Sequence, residues 1–386
     1  MRTWLLLLPA ILAAPAPAQE AAGQNPQTVV VTGTPLDVTE RRMKECLARS
    51  CPPAEDIAAS AAHAENLVIA GEYGAARRVL GAARRRNGSH AAEMPNEVAG
   101  LIRPHARVLD VDGFARRSGF AHLDALDALK EGGVDRADAR ALTQRIEVGD
   151  SFARQARLRA ANGVYKRVEK AAWGAGLPHI AGHAMLRQAM LYSAVASVDP
   201  SFAGRAEKEI RDIEATAAPE LAPFRQAAKF LRASNAAKRG DMAVMERALA
   251  DTGALATDRP VLLFAPVVRL PKDDLLRQFG NMDVPRGVGV KPEWVDIRFV
   301  IDPDGKVADS DVIRKSDGVI GDWPQRVASA IALRRYAPVA LPQGSPRLTR
   351  IERFTMVYDM VEGPASRMMV RRGVGRLVSL DITPET

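Results

Sequence analysis

The spacing of apolar residues changes once along this chain, and that change fixes its class. From about Val38 to Thr252, alanine and larger apolar side chains recur every three or four residues, which puts them on one stripe of successive helices. From Trp294 to Ile301 the spacing drops to two, with Val295, Ile297, Phe299 and Ile301 on one face of an extended segment. Two such blocks in sequence predict an α+β chain. An all-helical, repeat-like amino-terminal domain is followed by a small strand-rich domain.

Within the helical block, tight turns are expected at Gly71-Glu72, Asn87-Gly88, Glu131 to Gly133, Gly174 to Gly176, Asp199-Pro200 and Arg239 to Asp241. The stretch from Asp56 to Arg86 carries Ala64, Leu67, Gly71, Tyr73, Ala76, Leu80 and Ala83. It resembles a tetratricopeptide repeat, in which small residues let two antiparallel helices approach while larger ones fill the groove between them. Lys238 to Leu249 is a weaker echo. The resemblance implies a degenerate array of three or four hairpins over residues 39–252, an irregular helical bundle being the competing reading.

The first 18 residues read as a cleaved secretory signal peptide: Arg2, an uncharged run with Leu5 to Leu8, and Ala16-Pro17-Ala18 before Gln19. The run is short and broken by Pro9, Pro15 and Pro17, so it predicts export into a bacterial periplasm and not a spanning anchor. The competing reading retains residues 1–18 as an inner-membrane anchor. Residues 19–38 read as a flexible linker around the β-prone segment Val29-Val30-Val31-Thr32. Cys46 and Cys51 suit the exported compartment. On a continuous helix five residues separate two Cα atoms too widely for a disulfide, so a turn ahead of Pro52-Pro53 is expected to bring the pair together.

The chain has 54 basic and 46 acidic residues, a net charge of +8. The arginines are scattered among acids, and the densest run, Arg77, Arg78 and Arg84 to Arg86, reads as a solvated helix face, so no nucleic-acid partner is expected. No nucleophile elbow, phosphate loop, dinucleotide fingerprint or H-E-x-x-H motif is present. His179 and His183 are one helical turn apart but have no evident third ligand, and His63, His90, His105 and His122 are isolated. No enzyme activity, cofactor or metal is expected; an unrecognised periplasmic enzyme is the second alternative.

Residues 253–290 form a proline-bounded extended connection, and the unit at 291–360 reads strand, strand, helix, strand. Asp302-Pro303-Asp304-Gly305 makes the first turn, Val307 to Lys315 the returning strand, Asp322 to Tyr336 a helix capped by Asp322, and Arg347 to Met360 the last strand. Residues 361–386 form a tail that could add a strand. The sequence Phe299-Val-Ile-Asp302-Pro-Asp304-Gly305-Lys-Val307, with Ser316, Arg334-Arg335-Tyr336-Ala337-Pro338 and Phe354-Thr-Met-Val-Tyr358, resembles the carboxy-terminal domain of the TonB energy-transducer family. It departs from that family in the Arg-Tyr pair at the helix end, in lacking the proline-tyrosine-proline approach to the first strand, and in lacking a long proline-rich spacer.

The resemblance implies a non-enzymatic protein-interaction module, linked to outer-membrane transport, that takes an extended peptide onto a sheet edge. The expected edge is the last strand, with Arg350, Glu352, Phe354, Met356 and Tyr358, unless the tail from Met368 to Leu380 covers it. Gln27 to Pro35 resembles the TonB box of outer-membrane receptors, the peptide such an edge captures, which makes Val29 to Thr32 a candidate ligand. The partner implied is a protein or peptide, an outer-membrane receptor segment among the possibilities.

Overall fold

The computed structural model describes residues 34–251, 260–268, 283–285, 292–319, 321–340, 348–362 and 368–383. The signal-peptide and TonB-box-like segments lie outside the described residues, as does most of the connection at 253–290. The described chain is mostly helical, with antiparallel strands near the carboxy terminus, an α+β arrangement. Among the described residues no helix is long and apolar enough to cross a membrane.

The helices are α1 (Leu36–Ala48), α2 (Pro53–Ile69), α3 (Tyr73–Asn87), α4 (Pro95–Val111), α5 (Ala115–Glu131), α6 (Ala139–Arg154), α7 (Leu158–Gly174), α8 (Pro178–Ala196), α9 (Ala203–Ala215), α10 (Ala222–Lys238) and α11 (Met242–Ala250). Each packs chiefly on its neighbours in sequence. After α1 they form five successive hairpins, more than the sequence suggested. The repeat-like residues of the first hairpin are inward, with Ala76, Leu80 and Ala83 at 0–1% exposure and Tyr73 at 2%.

One capping device ends most of these helices. Ser50, Gly71, Gly113, Gly133, Ala156, Gly176 and Gly240 all have positive φ, and the amide after each bonds back across the last turn, as Glu72 does to the Leu67 carbonyl (2.8 Å) and Phe114 to that of Leu109 (2.7 Å). The α2–α3, α4–α5 and α6–α7 turns at Gly71, Gly113 and Ala156 are 42 and 43 residues apart. That period is longer than a 34-residue tetratricopeptide unit.

The Ser50 turn reverses the chain between the cysteines. Cys51 N–H bonds the Cys46 carbonyl at 3.0 Å, the Cα atoms come within 5.1 Å, and the disulfide forms. Replacing both cysteines by alanine is expected to cost about 2 kcal/mol, because the closed loop is short. Urea unfolding of the oxidised chain and the double variant measures it, and a loss above about 4 kcal/mol would contradict that account.

The carboxy-terminal strands are β1 (Leu262–Phe264), β2 (Asp283–Pro285), β3 (Glu293–Ile301), β4 (Val307–Lys315), β5 (Arg335–Tyr336), β6 (Leu348–Glu362) and β7 (Met368–Asp381), with α12 (Trp323–Ala332) between β4 and β5. β1 pairs with β5, and the larger sheet runs β2-β7-β6-β3-β4, every pairing antiparallel. Val295, Ile297, Phe299 and Ile301 form a core with Trp323, Val327 and Ile331 of α12 and with Phe354 and Met356 of β6. The first turn forms as expected: Gly305 adopts φ +82° and Asp302 N–H bonds the Lys306 carbonyl at 2.8 Å.

Three expectations need correction. The helix stops at Ala332, because Tyr336 N–H is drawn to the Gly305 carbonyl (2.8 Å) and the segment before Pro338 becomes extended. Asp322 does not cap α12 through its side chain; its carboxylate holds Arg326 one turn on, at 2.9 Å. Most consequentially, the strand carrying Arg350, Glu352, Phe354, Met356 and Tyr358 is not an edge. β6 pairs with β3 on one side and β7 on the other, so the tail satisfies the backbone groups that a three-stranded sheet would have left open.

Candidate interaction edges and the interface behind them

The sheet has two buried faces. One carries α12, and the other sits on the turn ends of the first two helical hairpins. Register dictates which residues meet the hairpins, since opposed residues of paired strands share a face. Asp296 of β3 stands opposite Arg353 of β6, Trp294 opposite Thr355, and Val357 opposite Arg376 of β7.

At the centre of that face lies a fully buried ion pair. Arg353 and Asp296 have side chains at 0% exposure, joined in a bidentate pair with Nε to Oδ1 at 2.7 Å and Nη2 to Oδ2 at 3.0 Å. The third guanidinium nitrogen donates to the Val68 carbonyl at the end of α2 (3.0 Å), and the plane lies 3.8 Å from the centre of the Trp294 ring. Arg314 reaches the second carboxylate oxygen from outside at 2.6 Å. Beside them the Tyr73 hydroxyl meets Thr355 Oγ1 at 3.0 Å, and burial pushes the phenol pKa up. Every polar atom named here has a partner, the condition under which a buried charge can be held.

A second contact joins β7 to the next hairpin. Arg376 Nη2 donates to both the carbonyl (2.9 Å) and the carboxylate (2.8 Å) of Asp110, while Arg154 from α6 reaches the other carboxylate oxygen at 3.2 Å. Met360 N–H bonds the Gly113 carbonyl at 2.8 Å, and the Met360 side chain joins the apolar cluster of the first two hairpins. Gly71 and Gly113 are therefore required twice. Each supplies a left-handed turn, and a Cβ on either would lie 2.4 Å from the sheet, at Trp294 Nε1 and the Tyr358 carbonyl respectively.

These contacts also place the sequence-selected side chains. Phe354 and Met356 are core residues, and Tyr358 packs against that core. Glu352 accepts from buried Arg334 at 3.0 Å, and Arg334 also reaches the Tyr336 hydroxyl at 3.0 Å. Arg350 lies opposite Phe299 on the interior strand. Within the arginine-rich run, three of the five are engaged: Arg77 with Asp112 (2.6 Å), Arg84 with Asp124 (2.5 Å) and Arg86 with Asp56 (2.7 Å). His179 and His183 pack on the Phe224 ring, and among the described residues no group of His, Cys, Asp and Glu is placed to hold a metal ion.

The two outer edges differ. β4 carries two bulges, where Ala308 and Ile313 fall out of register with β3, and its exposed positions include Asp309, Asp311, Arg314 and Lys315. Bulges and charges are how an edge strand is kept from pairing. β7 is regular where it matters: Arg376 to Asp381 pair continuously with Glu352 to Val357, and Leu377-Val378-Ser379-Leu380 carries no charge. β2 covers β7 only at Met368 to Val370, and among the described residues no strand pairs with the outer side of Arg376 to Asp381.

Burial in the hairpins also sets a pH limit. His105 and His122 are 9% and 0% exposed, and neither Nδ1 has a hydrogen-bond partner among the described residues. Desolvation, reinforced by Arg84 at His105, lowers each pKa to about 4 from 6.5. The unfolded chain takes up protons below pH 6.5 that the folded chain refuses, so stability falls as pH drops from about 6.5 toward 4. Each contributes at most about 3 kcal/mol, and the raised pKa values of buried Asp112 and Asp150 oppose it. The imidazole resonances of both histidines are expected to stay unchanged from pH 8 to 5. A midpoint near 6.5 would refute this.

No family model matches the chain, and no curated protein matches it. Among solved structures it is similar to BtubC (BKLC) from P. vanneervenii, with 15% sequence identity and a TM-score of 0.41 over 58% of this chain and 97% of that one. A likeness this distant carries no inference about fold or activity.

Proposed function

We propose that this chain is a non-enzymatic periplasmic interaction module in which the helical array is a scaffold and the carboxy-terminal sheet takes up an extended peptide along the outer side of Arg376 to Asp381. The observation that carries the reading is the contrast between the edges: β4 is bulged and charged, whereas this half of β7 is regular and uncharged between Leu377 and Leu380. Strand addition needs such an edge, because backbone hydrogen bonds supply the affinity and alternate side chains the selection. The TonB-like order of strand, strand, helix, strand supports the same mode with the receiving edge moved outward by one strand. The disulfide fits an oxidising compartment. The peptide favoured is one resembling Val29 to Thr32, supplied by an outer-membrane receptor or by this chain.

Hydrogen exchange tests the reading on the full chain with Val29, Val30 and Val31 replaced by serine, so that its own segment cannot compete. Addition of a peptide spanning Gln27 to Pro35 is expected to slow amide exchange at Arg376 to Asp381. Unchanged exchange there at millimolar peptide, or protection at β4 instead, would overturn it.

A further inference from the structure

The face of α7 turned to solvent carries Arg159, Lys166, Arg167, Lys170 and Trp173, all exposed. Their spacing, 7, 8, 11 and 14 residues from Arg159, keeps them on one side of the helix over about 21 Å. Among the described residues none of the four cations has an ion-pair partner, unlike Arg77, Arg84 and Arg86 of α3. The acid of this helix, Glu169, is turned toward α8, where it accepts from Gln188 Nε2 at 2.6 Å. Trp173, 39% exposed, ends the row beside the α7–α8 turn. Because successive helices reverse direction, that turn lies at the end of the hairpins opposite the α2–α3 and α4–α5 turns on which the sheet sits.

We propose that this face docks on an anionic phospholipid surface. Four flexible cations in a row recognise charge density and not a particular shape. An indole at the end of such a row is the side chain that seats at headgroup level. Attraction of basic residues to anionic headgroups combines with burial of the exposed ring, the pairing that holds proteins at a membrane surface without spanning it.

The test is sedimentation of the full chain with vesicles of phosphatidylcholine alone or with about 30% phosphatidylglycerol. Binding is expected only to the anionic vesicles, to weaken with salt, and to blue-shift tryptophan emission in the parent chain but not in Trp173→Phe. Replacing Arg159, Lys166, Arg167 and Lys170 together by glutamine should weaken binding on the order of 10²–10³-fold. The equally exposed set Arg41, Arg42, Arg211 and Lys229, replaced likewise, lowers net charge by the same amount and should have a much smaller effect. Three results would overturn the proposal: equal binding to neutral vesicles, which reports insertion of residues 1–18; equal losses from the two charge sets; or binding of an acidic polypeptide without binding of vesicles.

Discussion

Asp296→Ala is expected to lower folding stability by about 3–5 kcal/mol, read as a fall in the urea midpoint at unchanged slope. The substitution leaves the Arg353 guanidinium at 0% exposure with its counter-charge gone and Arg314 without its inner partner. The Val68 carbonyl and the Trp294 ring remain, but neither supplies a full opposite charge. The converse distinguishes charge burial from packing. A double variant, Asp296→Leu with Arg353→Met, should recover most of the loss, since a well-packed apolar pair avoids the cost of desolvating two ions. A single variant that loses less than about 1 kcal/mol would mean that water reaches the pair.

The second large effect is expected at Gly113. An alanine there must adopt φ +87°, which costs about 1–2 kcal/mol for an L residue, and must also place its methyl 2.4 Å from the Tyr358 carbonyl. Overpacking against a fixed strand adds roughly 1–3 kcal/mol. Gly133 supplies the comparison, because it has φ +74° with open space around its Cβ position, so Gly133→Ala carries only the conformational cost. Gly113→Ala should therefore be the more damaging by about 1–3 kcal/mol, with faster amide exchange at Met360 as the local sign of separation. Equal losses in the two variants would show that β6 yields readily around the added methyl.

What could be read from the sequence was local. Alternation marked β3, Asp302 to Gly305 marked its turn, and the inward residues of the first hairpin were picked out by helical spacing, because each depends on neighbours within a few residues. The order of strands was less accessible. β6 reads as a final strand until the tail is paired with it, and the tail is interrupted by Gly373 and Gly375, residues that weaken a strand signal. The buried face was hidden for a different reason. Asp296 and Arg353 occupy the positions that alternation assigns to solvent, and nothing local says that a helical turn 285 residues from Arg353 will cover them. Gly71 offered a partial clue, but its positive φ already accounted for the glycine, which masked the second demand made by Trp294. The helical period was also legible in principle: left-handed turns at Gly71, Gly113 and Ala156 recur regularly, yet the third is an alanine and breaks the visible pattern.

The bond between Tyr73 and Thr355 spans 282 residues, which sets the order in which the molecule can assemble. Closing a loop of that length in a disordered chain would cost about 5 kcal/mol of chain entropy before any contact offset it. The hairpins between α2 and α11 need no such closure, since each helix meets its sequence neighbour, and once they form the slack between the two ends shrinks to the connection around residues 252–291. Docking is then expected to follow the helical stage and to be the slower step. Until β6 and β7 are in place, Tyr73 and the turn ends of the first two hairpins stay exposed. A ribosome or a translocation channel that delivers the chain from its amino terminus releases the segment that shields them last.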